Sequence, residues 1–72
     1  MTRSEHMRWC KRRALEELEF SGKPADGIVS MMSDLREHPD TNQPSLMALC
    51  MGMLPILRTK REVVEFINGF AE

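Results

Sequence analysis

Charge of one sign is what this chain most conspicuously lacks. Its 10 basic and 11 acidic residues leave a formal net charge of −1, which excludes a global electrostatic pull toward nucleic acid or an anionic membrane. Cysteine is scarce as well: Cys10 and Cys50 are too few for a disulfide framework. No apolar run reaches the ~20 residues of a membrane-spanning helix. The uncharged stretch from Thr41 to Leu57 opens on polar residues and contains Pro44 and Pro55, so no membrane is expected. The polar start, Met1 to His6, has no apolar signal segment, and a reduced, cytoplasmic setting is the expectation. Strand signals are missing, since no alternating apolar run is bounded by turn residues. There is no glycine-rich phosphate loop, no Gly-x-Ser-x-Gly elbow and no pair of carboxylates in a predicted cleft. A chain of 8.3 kDa also has little room for a water-excluding pocket. The expectation is a protein that is not an enzyme, with no cofactor and no small-molecule substrate.

What is present reads as helix. Seventy-two residues make one domain, residues 1–72, which buries only about 60% of its unfolded surface. Domains of this size usually need a staple, and with neither disulfide nor metal that staple is self-association. The spacing predicts an all-α fold of four short helices, at about 2–21, 24–37, 44–55 and 60–68. In the first, Met7, Cys10, Ala14 and Leu18 follow 3–4 spacing, flanked by Leu15. Thr2 or Ser4 caps its start, and Gly22 supplies the left-handed residue that stops it. Trp9 and Phe20 form a second apolar edge, with Arg13 and Glu16 between them. Pro24 opens the second helix, whose inner face is read as Ala25, Ile28, Met32 and Leu35 with Val29 alongside; Pro39 stops it. Thr59 and Glu62 form a capping box before the last helix, which buries Val63, Phe66 and Ile67 and ends at Gly69, with Phe70 folding back as a plug.

The third segment, Pro44 to Leu57, carries no charge and is apolar on every side. A helix apolar all round belongs in the interior. It is therefore expected to be the central helix around which the other three wrap.

Two resemblances follow from particular residues. Gly22 to Pro39 combines a glycine turn, a small residue at Gly27, Met31, Leu35 and a terminating proline. That pattern resembles the second half of a tetratricopeptide-type helical hairpin. Over most of its length the chain also resembles small uncharacterised proteins of tailed actinobacteriophages. The matching residues are Trp9-Cys10-Lys11, Arg13-Ala14-Leu15-Glu16, Ser30-Met31, Ser33-Asp34-Leu35, His38-Pro39, Thr41 and Gly69-Phe70. It departs from them at Ser21-Gly22-Lys23 and in the methionine-rich centre. The resemblance implies a phage origin and a bacterial host cytoplasm, and it transfers no catalytic residue.

Four constellations bear on function. His6, Cys10, His38 and Cys50 supply the donor types for a tetrahedral zinc site, though at spacings of no established finger. Cys10 lies beside Lys11, Arg12 and Arg13, and nearby cations favour a thiolate. Bases fill the first half of helix one and acids the second, which is backwards for the helix dipole; Lys60 and Arg61 repeat the inversion. A solvated charged face accounts for such a cluster by default. Functionally, Arg3, Arg8, Lys11 and Arg12 suit a nucleic-acid backbone, whereas Trp9, Arg12, Arg13 and Phe20 suit a protein partner. Finally, seven methionines fill core gaps or make an adaptable surface, with Met51 and Met53 as a candidate dimer seam. The leading expectation is a protein-interaction module that binds a partner or a second copy. The alternative is a small nucleic-acid-binding regulator.

Overall fold

The computed structural model describes all 72 residues. Four helices follow one another: α1 (Arg3–Ser21), α2 (Pro24–Leu35), α3 (Pro44–Met53) and α4 (Lys60–Asn68). Their ends are set by local chemistry. The Thr2 hydroxyl accepts from the Glu5 amide at 3.1 Å, and the Glu5 carboxylate accepts from the Thr2 amide at 3.0 Å. Thr59 and Glu62 repeat this capping box at α4. Gly22 closes α1 at φ 71°, with its amide donating to the Leu18 carbonyl at 2.8 Å. Gly69 ends α4 at φ −75°, in right-handed geometry, and Phe70 turns back, nearly buried, with its ring edge-on to Phe66 at 5.2 Å.

Two helices stop earlier than their sequence suggests. Helix α2 ends at Leu35 rather than 37, because the buried Thr41 hydroxyl donates to the Leu35 carbonyl at 2.7 Å. That bond satisfies an orphan helix-end acceptor and draws the chain into a turn. Helix α3 ends at Met53 rather than 55. Pro55 has no amide hydrogen to continue the ladder, and the amides of Ile56 and Leu57 turn back onto the Met53 carbonyl.

The core forms around the α1–α2 hairpin. Met7, Cys10, Ala14 and Leu18 of α1 face Ile28, Met31 and Leu35 of α2, and Val63, Ile67 and Phe70 close the cluster from the α4 side. The α1 stripe is the one its spacing predicts. The α2 face is rotated from the predicted one: Gly27 and Met31 are buried, Met32 is half-buried, Ala25 is exposed and Val29 is 47% exposed. Gly27 sets this rotation. A Cβ there would lie 3.1 Å from Val63 Cγ1 and 3.2 Å from Leu18 Cβ, so only glycine lets three helices approach this closely without displacement.

The expected central position of α3 is overturned. Helix α4 packs on both α1 and α2, whereas α3 packs on α2 alone. Of its ten residues only Cys50 is buried; Leu49 is 44% and Met51 62% exposed. A lack of charge does not make a side chain inaccessible, and three short neighbours cannot surround a fourth helix when two of them are already paired. Helix α3 lies on the outer flank of α2, wet along one side.

Candidate interaction surface

Where α3 meets α2, the two helices leave a groove of about 530 Å³. Met32 of α2 and Arg36 at its C-terminal cap line it on one side, Met47 and Met51 of α3 on the other, together with Asn42 and Pro44. Both helical pairs are spaced i, i+4, so each presents two side chains on one face. Pro44 occupies the first turn of α3, where the missing amide hydrogen is not needed. The preceding loop is held by Gln43 Nε2, which donates to the Asp40 carbonyl at 3.1 Å. Three flexible thioethers make the walls adaptable. Arg36 is exposed at the rim and forms no ion pair.

The residues expected to meet a partner on α1 divide into two kinds. Trp9 is half-buried, stacked on His6 at 5.3 Å and covered by the Arg13 guanidinium at 4.8 Å. Arg13 Nε also donates to the buried Asp34 carboxylate at 2.9 Å. Trp9 and Arg13 therefore join α1 to α2. Arg12 is exposed, reaching Glu16 only at 4.0 Å, and Phe20 is 89% exposed. Of the candidate seam residues, Met51 is exposed and belongs to the groove, while Met53 is half-buried and does not line it.

The basic cluster has an internal task that sequence reasoning missed. Lys11 is buried, and its ammonium donates to the Phe70 carbonyl at 2.7 Å and to Glu72 at 3.1 Å. Arg8 Nε donates to the same carboxylate at 2.9 Å. The two cations, Arg8 foremost, hold the Glu72 carboxyl below its usual range. At the other end of α1, Glu19 meets Lys60 at 2.6 Å. Helices α1 and α4 run antiparallel, so the inverted charge order of each complements the other. Of the four residues suited to a nucleic-acid backbone, Lys11 is enclosed and Arg8 is tied to Glu72, which leaves Arg12 exposed and Arg3 half-buried.

The four zinc-type donors do not converge. No group of three or more His, Cys, Asp or Glu side chains is placed to share an ion. His6 donates through Nε2 to the Asp34 carbonyl at 2.9 Å and stacks on His38 at 5.1 Å. His38 accepts from the Asp40 amide through Nδ1 and donates from Nε2 to the Met1 carbonyl. It sits in the turn beyond α2, pinning the chain start. Both cysteines are free and buried. Burial, reinforced by Asp34 and Glu37, pushes the Cys10 thiol up to about 12, and burial pushes Cys50 up to about 11. The expectation of an activated Cys10 is thus reversed: loss of water outweighs the neighbouring cations.

No protein-family model, curated protein or solved structure matches this chain. No helix is long and apolar enough to cross a membrane.

Proposed function

We propose that this chain is a small non-enzymatic interaction module that receives apolar side chains of a protein partner in the groove between α2 and α3. The carrying observation is the groove itself: Met32 and the unpaired Arg36 on the α2 side face Met47 and Met51 of α3, a helix that buries one residue in ten. A surface of that kind exposes apolar area with no internal purpose, and such patches commonly mark interfaces. The rim cation favours a partner whose apolar residues are flanked by carboxylates. In this reading the module is phage-encoded and acts in the cytoplasm of a bacterial host.

Photoreactive methionine incorporated throughout the chain tests the proposal directly. Irradiation of cells expressing it, followed by peptide mapping, is expected to give protein adducts at the groove methionines Met32, Met47 and Met51. Adducts confined to other methionines, or none at all, would overturn it.

A further inference from the structure

We infer that the groove accepts the exposed end of α1 from a second copy of this chain, with Phe20 seated among Met32, Met47 and Met51 and Glu17 facing Arg36. The inference rests on the proposed function, which it deepens by naming the partner.

Complementarity of shape and charge carries it. Phe20 is the most exposed large hydrophobic side chain in the molecule, at 89%. A solvated phenyl ring gains from burial, and thioether sulfur is a favourable neighbour for an aromatic edge. Glu17 lies three residues before Phe20 on the same helix face, is exposed, and forms no ion pair. The groove presents the converse set, an apolar floor with one free guanidinium. Each half carries what the other lacks.

The placement also dictates how copies would join. Phe20 lies beside Ser30 of α2, whereas Met32, two residues on, lines the groove. Two helical steps are about 200° of rotation, so projection and groove occupy opposite flanks of the same helix. One molecule cannot fill its own groove. A two-fold dimer cannot engage both of its Phe20 residues in both of its grooves either. The contact is therefore head-to-tail, leaving one free projection and one free groove at the ends of any assembly that does not close into a ring.

That geometry makes a specific test. Sedimentation of the purified full chain over a concentration series is expected to show an average mass that rises past two copies without levelling there. Phe20→Ala removes the projection and Met51→Glu spoils the groove; both sites are exposed, so helical circular dichroism should stay unchanged. Each variant alone is expected to be monomeric. Mixed in equal amounts they should form pairs and stop, because Phe20→Ala retains a groove and Met51→Glu retains a projection. Glu17→Arg should weaken assembly, and the double variant Glu17→Arg/Arg36→Glu should restore it. A monomeric parent chain at every concentration overturns the second copy as occupant, while methionine adducts to other proteins would leave the groove as a docking site. A dimer that levels at two and survives Phe20→Ala, or variants that fail to pair when mixed, overturns the head-to-tail contact.

Discussion

Helices α3 and α4 are almost the same length, at 10 and 9 residues, and they end up in opposite circumstances. Helix α4 carries four charged residues among its nine, Lys60, Arg61, Glu62 and Glu65; yet it buries Val63 and Ile67 completely and touches both helices of the central hairpin. Helix α3 carries no charge and buries only Cys50. The pattern of apolar residues, more than their number, decides which helix is enclosed. In α4 the apolar positions recur on one face; in α3 they point everywhere, so any docking leaves some of them in water.

The sharpest break in that comparison comes from shortening one apolar side chain in each helix. Ile67→Ala should lower unfolding free energy by about 2–5 kcal/mol, because it opens a cavity in the core. Leu49→Ala should change it by less than about 1 kcal/mol, since much of that side chain is already hydrated. Urea titration of both variants is the measurement, and equal losses would mean that α3 is as enclosed as α4. Glycine substitutions should differ even in sign. Gly52→Ala in α3, with nothing within 4 Å of the new methyl, should stabilise by about 0.5–1 kcal/mol through helix propensity. Gly27→Ala meets Val63 and Leu18 Cβ at 3.1 and 3.2 Å, and crowding should outweigh that gain by about 1 kcal/mol.

Capping offers a smaller contrast. Thr59→Ala removes a complete capping box from α4 and should cost about 1 kcal/mol. Gln43 makes no side-chain cap at α3, so Gln43→Asp should raise the melting midpoint slightly. Acid gives the smallest effect. The carboxyls of Glu5, Glu62 and Glu72 lie below their usual 4.5, the first two held by hydrogen bonds to their capping threonines and the third by Arg8 and Lys11. Their contribution is complete above 4.5 and disappears as pH falls through the depressed values. Denaturation midpoints should therefore decline modestly below pH 4.5, with fraying at α1 and α4 detected by amide exchange while α3, which has no carboxylate, is unaffected directly.

Much of this fold is legible in the residues themselves. The α1 stripe, the left-handed Gly22, the Thr59–Glu62 box and the Phe70 plug all depend on neighbours within a few positions. The register of α2 is not legible by that route, because Met31 and Met32 are adjacent and equally apolar. Only the close approach at Gly27 selects between them. The place of α3 is hidden for a related reason: hydropathy without a period does not say which side is covered. Phe20 and Met51 are recognisable as apolar surface, but the groove needs Met32, Arg36 and Met47 brought together from two helices, and no local signal announces that. The role of Lys11 depends on a carbonyl 59 residues away.

The crosswise matching of α1 with α4 has a consequence for topology. Had the final helix lain alongside the first in the same direction, ammonium would have faced guanidinium at one end and carboxylate would have faced carboxylate at the other. Each such mismatch is modest in water, on the order of 1 kcal/mol, but every one of them penalises the reversed arrangement together. The polarity written into two helices thus acts as an orientation key, rejecting a mirror-like packing that hydrophobic contacts alone would tolerate.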